Sequence, residues 1–376
     1  MIRWTAIVAT VATILGWWSR TFQVGLFLAA AGCRRKTREA TEWNRAIRTA
    51  EWSSPSLTER PTAMRRPNRS ALITFHPEYL SFTPTLVDSA LIKATELNAA
   101  WLRTDVRWHQ LLPDGDQVNA KALSYYQGFL ARAQAHGFCN LIVLSSPPRA
   151  IMASTANQRM IVWSRFVEMV AKELGGYCQS YQLMNEPNNQ VYSFFSKADM
   201  PLALTRAATL IKTHCPAATI AVNVSMDIWG WRGYLEDLLS ASGSSVDIVG
   251  LDHYPGTWTI GYQARWNDVC KLAKLIHSAP QGSPWFKRRL GIIETGFSTN
   301  TLGRGQLEQA RYFAGLRNVA ASLRVMSGTF AFLGAYELCD EDSDAHIDPE
   351  AHFGLLNSRL EPKKAFSTVR DLIATL

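Results

Sequence analysis

The sequence predicts an α/β fold, a (β/α)8 TIM barrel that follows an apolar and basic N-terminal extension. Three observations support this prediction: a long chain with ample apolar content, eight apolar runs of strand length, and amphipathic segments between these runs. The chain has 376 residues, of which 47% are hydrophobic, so a single domain can bury a large core. Eight strands that alternate with helices over about 300 residues are typical of this barrel.

The apolar runs have the length and the residue types of buried strands. They span residues 71–77, 100–108, 139–146, 178–186, 218–225, 246–254, 289–295 and 329–338. Segments with helical periodicity lie between them, and one more follows the last run. These segments span residues 85–97, 120–136, 158–174, 202–213, 263–277, 306–325 and 362–376. A doubly wound open sheet is the alternative, but no glycine-rich phosphate loop follows the first strand, which favours the barrel.

The first 70 residues differ in composition from the main domain, residues 71–376. Residues 1–33 are largely apolar, and residues 34–70 are basic, rich in Ser, Thr and Pro, and typical of a linker. Three interpretations of residues 1–33 remain open: a signal peptide, a membrane anchor, or a mis-assigned start in front of a soluble enzyme. The end of this segment, LAAAGC, resembles a bacterial lipoprotein cleavage site with Cys33 as the lipidated residue, whereas the basic residues after it favour the cytoplasmic side. We expect a location in the bacterial cell envelope (periplasmic, membrane-anchored or secreted), or a cytoplasmic one if the start is mis-assigned.

The net charge of +8 comes from the N-terminal extension. Residues 1–70 hold 12 of the 39 Lys and Arg residues and 4 of the 31 Asp and Glu residues, so the remaining chain is electrically balanced. A balanced domain has no field that attracts a polyanion, which argues against a nucleic-acid partner. The 6 cysteines are far apart and form no CxxC pair, which favours buried free thiols over zinc ligands or disulfides.

Polar residues gather where the predicted strands end. In a (β/α)8 barrel the carboxyl ends of the strands form the active face, so reactive side chains are expected there. The strand-end residues are Arg103, Asp105 and Trp108 on strand two, Asn185 and Glu186 on strand four, Asp252, His253 and Tyr254 on strand six, Glu294 on strand seven, and Tyr336, Glu337 and Asp340 on strand eight. Glu186 and Glu294 lie three strands apart around the ring, so their side chains can converge across the barrel mouth.

Two converging carboxyl groups suit glycoside hydrolysis. One carboxyl donates a proton to the leaving oxygen, and the other, held ionised, attacks the anomeric carbon; a separation of about 5–5.5 Å corresponds to retention. We expect Arg103 to lower the pKa of Glu294 and the surroundings of Glu186 to raise its pKa. A solvated turn is the ordinary interpretation of a single Glu at a strand end, but the whole set on one face favours a catalytic site. This chemistry requires no metal or organic cofactor.

Several stretches of the main domain resemble the clan of retaining (β/α)8 glycoside hydrolases. They are WLRTDVRW, LSSPP, YQLMNEPNN, VDIVGLDHYPGTW, GIIETGFST and YELCDEDSDAHIDPEAHFGLL with EPKKAF after it. Within the clan the chain is most similar to the family 39 group, which includes β-xylosidases and bacterial exopolysaccharide hydrolases. The resemblance covers the chain from about residue 71 to its end.

This resemblance implies roles for five residues. Glu186, which follows an asparagine on strand four, corresponds to the acid/base, and Glu294 corresponds to the nucleophile. Asn185 would donate a hydrogen bond to the sugar 2-hydroxyl, an interaction that strengthens in the transition state. Arg103 would orient and ionise Glu294, and Tyr254 would donate a hydrogen bond to the same carboxylate.

Three departures from the clan pattern leave the sugar open. The clan often carries His two residues before the strand-six tyrosine, where this chain has Asp252 and places His253 next to the tyrosine. The strand-eight platform is often Trp, and here Tyr336 occupies that stretch. The Pro-Pro pair after strand three is often followed by Trp, and here Arg149 follows it. The expected supporting or substrate-binding residues on this face are His253, Trp108, Tyr336 and Trp258.

The predicted loops of the active face are rich in aromatic residues, which stack on the C–H faces of sugar rings. They are Tyr192, Phe194, Phe195, Trp229, Trp231, Tyr234, Trp258, Tyr262 and Trp266. Even if half of them only anchor the loops, enough remain for a cleft, so we expect a carbohydrate partner, namely a β-linked polysaccharide. We also expect a monomeric enzyme. A cellulase-like or mannanase-like hydrolase and a catalytically silent glycan-binding barrel remain alternatives. A metal-dependent barrel hydrolase is disfavoured because no His-x-His ends an early strand.

Overall fold

The computed structural model describes residues 68–80, 83–255, 257, 264–299, 305–326, 328–341 and 348–376. Within them, eight parallel strands form a closed barrel in chain order. The strands are β1 (Asn68–Thr74), β2 (Ala99–Arg107), β3 (Cys139–Ser145), β4 (Ser180–Leu183), β5 (Thr219–Ser225), β6 (Ile248–His253), β7 (Arg289–Thr295) and β8 (Phe330–Ala335). The predicted (β/α)8 fold class is confirmed. The predictions for residues 1–33 and for the linker up to residue 67 lie outside the described residues.

Helices surround the barrel and connect consecutive strands. They are α1 (Pro84–Glu96), α2 (Trp108–Leu111), α3 (Ala120–Ala135), α4 (Arg149–Met152), α5 (Ala156–Leu174), α6 (Met200–His214), α7 (Trp231–Ser242), α8 (Trp266–His277), α9 (Gln306–Gly315), α10 (Arg317–Arg324) and α11 (Lys364–Ile373). Short 3-10 turns span Pro77–Leu80, Gly175–Tyr177, Gly243–Ser245 and Pro349–His352. Nowhere in the described part of the chain is a helix both long enough and apolar enough to cross a membrane.

Local sequence signals explain where the helices begin. Thr155 and Gln158 form a capping box at the start of α5, where the Gln158 backbone N–H donates to Thr155 Oγ1 over 3.3 Å. Asn119 caps α3 by accepting a hydrogen bond from the Ala122 backbone N–H. Pro84 opens α1, the position where a missing backbone N–H costs no helical hydrogen bond.

The barrel interior is filled by inward-facing apolar side chains from the strands. Leu72, Leu141, Val143, Ala221, Ile248, Ile293, Ala331 and Phe332 form this cluster. Gly250 and Gly334 make room for it, since a Cβ at either position would collide with Ile293. The packed interior closes the barrel below the site, so the mouth at the carboxyl ends is where polar groups can meet.

The structure differs from the sequence prediction in three elements. Helix α7 was not among the predicted helical segments, and its first residue, Trp231, is buried rather than part of a loop. The segment predicted as one helix over residues 306–325 is two helices, α9 and α10, with a break at Leu316. Strand β4 ends at Leu183, so Glu186 lies in the turn that follows it and not in the strand itself.

Candidate active site

The two predicted catalytic glutamates reach the barrel mouth from different backbone settings. Glu294 is the penultimate residue of β7, where the register with both neighbouring strands shifts, so it reaches the mouth although the preceding residue, Ile293, packs in the interior. Glu186 lies in the turn after β4, where Met184 and Glu186 both have left-handed backbone conformations, with φ of 66° and 42°. Such conformations are uncommon for residues other than glycine and concentrate at functional sites. Both carboxyl groups are buried, with relative exposures of 6% for Glu186 and 5% for Glu294.

Glu294 is held by a cation and a phenol. One carboxyl oxygen accepts from the guanidinium of Arg103 in a buried ion pair, and the other accepts from the hydroxyl of Tyr254. Burial raises the pKa of Glu294, while Arg103 and Tyr254 act in the opposite direction. The expected lowering by Arg103 is present, but burial has the larger effect, so the pKa of Glu294 lies above its ordinary value.

Arg103 is fixed by further contacts inside the barrel. Its side chain is only 1% exposed. Its Nε donates to Gln182 Oε1 over 2.9 Å, and its Nη2 donates to Asn185 Oδ1 over 3.1 Å. A guanidinium presents a rigid fork of donors, so these contacts aim the remaining charge at Glu294.

Glu186 has a different environment. Its Oε2 accepts one hydrogen bond, from Asn189 Nδ2 over 3.1 Å, and no cation pairs with it among the described residues. Burial raises the pKa of Glu186 to about 8, and the charge of Glu294 acts in the same direction. The guanidinium beside Glu294 and the lack of a cation beside Glu186 among the described residues favour the negative charge on Glu294 and the proton on Glu186. Two carboxyl groups with surroundings this different are suited to acid and nucleophile roles.

Asn185 lies beside Glu186 with its amide orientation fixed. Its Oδ1 accepts from three donors: Arg103 Nη2, Gln182 Nε2 over 3.1 Å and Asn223 Nδ2 over 2.9 Å. Three donors on one oxygen leave the Nδ2 group on the other side. That group has no hydrogen-bond acceptor within the described residues, so it is available to a ligand.

A third buried carboxyl, Asp252, lies on β6 next to this network. It is fully buried, and its Oδ2 accepts a hydrogen bond from Asn223 Nδ2. Burial raises the pKa of Asp252 well above its ordinary value, and the charges of Glu294 and Glu186 act in the same direction. The site thus contains three carboxyl groups and one guanidinium, that of Arg103.

The structure does not bring every predicted residue to the glutamates. His253 faces away from them: its Nδ1 lies 3.0 Å from Asp227 Oδ1, and its ring packs edge-on against Trp266. Trp108 is fully buried and stacks on Phe166 behind the barrel wall. Trp258 lies outside the described residues.

Tyr336 does lie at the site. Its ring packs edge-on against those of Tyr254 and Phe353, at centroid distances of 5.6 and 5.4 Å, and its hydroxyl donates to Glu350. These three rings form a small aromatic wall beside Glu294, where the clan often has a tryptophan. The expected substrate-binding role of Tyr336 stays a prediction.

Two other predicted strand-end carboxyl groups pair elsewhere. Glu337 lies 2.8 Å from Nδ1 of His76, and Asp340 forms a buried ion pair with Lys363 at 2.6 Å. The second pair joins the segment after β8 to the start of α11.

Sequence reasoning missed Asn223, Asp227 and Glu350. Asp227 Oδ2 accepts from the Tyr254 backbone N–H over 3.0 Å, and its charge, like that of Glu350, acts on Glu186. The signal for Asn223 was available, because it is the one amide in the apolar run TIAVNVS. Asp227 and Glu350 lie in connections after strands and carry no comparable signal. Within the described ranges, no group of three His, Cys, Asp or Glu side chains is arranged to hold a metal ion.

Comparison with solved structures gives similar barrels. A family 39 glycoside hydrolase from the gut symbiont Bacteroides cellulosilyticus WH2 is 18% identical with a TM-score of 0.61, and the match covers 82% of this chain and 64% of that one. An exo-β-1,4-mannosidase from Opitutaceae bacterium strain TAV5 is 14% identical with a TM-score of 0.63, over 84% of this chain and 62% of that one. A GH10 endoxylanase retrieved from a sugarcane soil metagenome is 12% identical with a TM-score of 0.61, over 81% and 97%.

These neighbours confirm the resemblance at the level of the fold: the barrel is one that clan A glycoside hydrolases use. The chain spans 64% of the length of the family 39 hydrolase. No protein-family model matches the sequence, and no curated protein matches it either. Identities of 12–18% establish the fold alone, so the activity has to be argued from the site.

Proposed function

We propose that this chain is a retaining β-glycoside hydrolase that acts on a β-linked polysaccharide. One observation carries the proposal: two buried carboxyl groups meet at the barrel mouth in opposite surroundings. Glu294 contacts the guanidinium of Arg103 and the hydroxyl of Tyr254, whereas Glu186 contacts one neutral amide. This asymmetry assigns the negative charge to the nucleophile and the proton to the acid.

The reaction would proceed in two displacements. In the first, a carboxylate oxygen of Glu294 attacks the anomeric carbon, and Glu186 gives its proton to the glycosidic oxygen. The bond from the anomeric carbon to that oxygen breaks, and an ester bond to Glu294 forms. In the second, the Glu186 carboxylate takes a proton from water, the water oxygen attacks the anomeric carbon, and Glu294 leaves as a carboxylate. Two inversions give net retention.

The neighbouring side chains would serve each displacement. Arg103 and Tyr254 stabilise the Glu294 carboxylate before attack and again as it leaves. The free Nδ2 group of Asn185 is oriented to donate to the sugar 2-hydroxyl, where charge develops in the transition state. Both assignments agree with the roles that the resemblance implies.

Exposed side chains beyond β4 and β5 support a polymeric substrate. Trp229 is 81% exposed, Tyr192 is 49% exposed and Val191 is 77% exposed. Exposed aromatic side chains are suited to stacking on sugar rings. All three lie in connections that leave the carboxyl ends of their strands, on the same face as Glu186. By contrast, Phe194 and Phe195 are buried and pack on Trp163, so they anchor their loop.

A panel of β-linked polysaccharides tests the proposal. The purified full chain is incubated with each glycan beside Glu186→Gln and Glu294→Gln variants, and reducing ends are counted. We expect the wild type to release them from at least one glycan and both variants to lose at least about 100-fold in rate. Proton NMR of the first product should show the β-anomer.

Two results would replace the proposal. If the wild type releases nothing yet binds one glycan as tightly as both variants do, the protein is a glycan-binding barrel. If the first product is the α-anomer, the mechanism is inverting. A cellulase-like or mannanase-like specificity would appear as selective release from glucan or mannan within the same panel.

The envelope location is part of the same proposal, with the cell's own exopolysaccharide as the substrate that such a location would offer. It is supported by the apolar residues 1–33 and the LAAAGC stretch. Fractionation of cells that express the full chain and a Cys33→Ala variant tests the lipid anchor. Release of the variant from the membrane fraction is expected, and unchanged association would contradict lipidation of Cys33.

A further inference from the structure

We infer that Asn223 is a positioning residue for the proposed reaction: its carboxamide, oriented by Asp252, holds the Asn185–Glu186 pair in place for proton transfer. The inference rests on the proposed function. It assigns a positioning role to a buried polar pair, Asn223 on β5 and Asp252 on β6, which would affect the reaction by holding the catalytic residues in place.

Asn223 lies on the strand next to β4, the strand that precedes Glu186. It lies on β5, between β4 and β6, is fully buried, and faces Gly250 in the strand register. A Cβ at Gly250 would lie 2.9 Å from the Asn223 Cβ, so the glycine leaves the amide its space. A buried amide in an apolar strand destabilises the fold unless its hydrogen bonds are made.

The Asn223 amide makes three of these bonds, each to a residue of the site. Its Oδ1 accepts from the backbone N–H of Glu186 over 2.9 Å. Its Nδ2 donates to Asn185 Oδ1 over 2.9 Å and to Asp252 Oδ2. One side chain thereby links the backbone of the acid, the amide that faces the 2-hydroxyl and a carboxyl on the next strand.

Asp252, Asn185 and the Glu186 N–H together determine which way this amide points. With the amide rotated by 180°, its oxygen would face the acceptor oxygens of Asn185 and Asp252, and its N–H groups would face the N–H of Glu186. The contacts with Glu186 and Asn185 would become repulsive, and so would the contact with an ionised Asp252. The Glu186 N–H can only donate, so it favours this orientation whatever the charge of Asp252.

The hydrogen bond to the Glu186 N–H matters because of the local backbone. Glu186 has a left-handed conformation that a residue with a Cβ seldom adopts, and such conformations persist only where the surroundings hold them. Without Asn223, the N–H of Glu186 loses its acceptor and Asn185 loses one of three donors. We expect the carboxyl group of Glu186 to shift from its place at the leaving oxygen.

The test uses two substrates that differ in their need for acid. Cleavage of a phenyl β-glycoside requires protonation of the leaving oxygen, whereas a 2,4-dinitrophenyl β-glycoside releases its phenolate without it. For Asn223→Ala we expect kcat/KM to fall on the order of 100-fold for the phenyl substrate and only a few-fold for the dinitrophenyl one. Asp252→Asn, which keeps an acceptor oxygen, should lose less than Asp252→Ala.

Asn140→Ala is the matched control. Asn140 is also a fully buried strand amide, and its Nδ2 donates to the carbonyls of Leu130 and Tyr177 at the amino end of β3. It should reduce stability without changing the ratio between the two substrates. An equal loss on both substrates for Asn223→Ala, or the same selective loss for Asn140→Ala, would overturn the inference.

A measurement without substrate separates this inference from the proposed function. Carbon-13 NMR of the Glu186 carboxyl, assigned by Glu186→Gln, follows its titration in the full chain. Displacement toward water should lower its pKa in Asn223→Ala by more than about half a unit, because burial is the main cause of the raised value. An unchanged titration would refute the positioning role of Asn223, whether or not the wild type cleaves a glycoside. Failure of the wild type to cleave any glycoside tested would reject only the proposed function.

Discussion

Replacement of Arg103 by methionine probes the charge balance of the site. Methionine fills much of the same volume but offers no donors, so Glu294 loses its ion pair while Gln182 and Asn185 each lose a hydrogen bond. Removing one partner of a buried ion pair lowers the free energy of unfolding by about 3–5 kcal/mol. A domain with a stability of about 5–15 kcal/mol would remain folded at low temperature.

The chemical effect follows from the lost charge. Two opposite unit charges about 4 Å apart attract by about 4 kcal/mol at an effective dielectric constant of about 20. Burial already raises the pKa of Glu294, and Arg103 is the first of the groups that oppose it. Without Arg103 we expect the pKa of Glu294 to rise further, so that a smaller fraction of the carboxyl group is ionised and able to attack at neutral pH.

Covalent labelling measures this loss directly. A 2,4-dinitrophenyl 2-deoxy-2-fluoro-β-glycoside transfers its sugar to the nucleophile and needs no acid, so mass spectrometry reports on Glu294 alone. In the Arg103→Met variant we expect the labelling rate at neutral pH to fall by at least about 100-fold. The rate should then rise about tenfold per pH unit, as the remaining carboxyl ionises.

Arg107→Met provides the control. Arg107 is a buried arginine on the same strand that pairs with Glu78 at 2.5 Å, apart from the Glu294 contacts. We expect a similar loss of stability and an unchanged labelling rate. Labelling of Arg103→Met at the wild-type rate, with no dependence on pH, would refute the charge assignment of Glu294.

Three further predictions concern stability. Because the folded-state pKa of Glu186 lies above its unfolded value of about 4.3, its contribution to stability is complete below that value and is lost as the pH rises through about 8. In calorimetry, the Tm of Glu186→Gln minus the Tm of the wild type should become more positive as the pH rises from about 5 to about 9. A difference that stays constant with pH would contradict the raised pKa. Gly296→Ala should destabilise the protein by about 1–3 kcal/mol in urea unfolding, since its Cβ would collide with the backbone carbonyl of Tyr336; wild-type stability would disprove the close approach. Lys363→Met should lower the unfolding free energy by about 3–5 kcal/mol because it leaves Asp340 buried and unpaired, and a loss below about 1 kcal/mol would show that Asp340 finds other partners.

The fold and the central pair followed from the sequence because barrel geometry converts strand ends into a common site. Glu186 and Glu294 end apolar runs, and strand counting alone puts them across the mouth from each other. Arg103 and Tyr254 were predicted for the same reason, and the structure places both in contact with Glu294. Their position along a strand was sufficient because each lies on the inward side of its strand.

The predictions for His253 and Trp108 failed because a residue's position near a strand end does not determine which way its side chain points. Asp252 and His253 are adjacent, and the two-residue period of a strand turns one inward and the other toward α8. Trp108 follows β2 at the start of a short helix that carries it behind the wall. Asn223 stands out in the sequence as the one amide in its apolar run, but its role becomes apparent only once its contacts with residues after β4 and on β6 are known.

The excess of carboxyl groups at the barrel mouth affects which small molecules the protein would bind. The charge of Glu294 acts on Glu186 and Asp252, the charge of Glu350 acts on both glutamates, and Arg103 is the cation that opposes these effects on Glu294 and Asp252. A ligand that brings its own positive charge relieves this repulsion, so a protonated iminosugar should bind more tightly than the neutral sugar of the same shape. Hydroxylated amine buffers such as Tris share that chemistry, and they would compete with substrate in any assay that contains them.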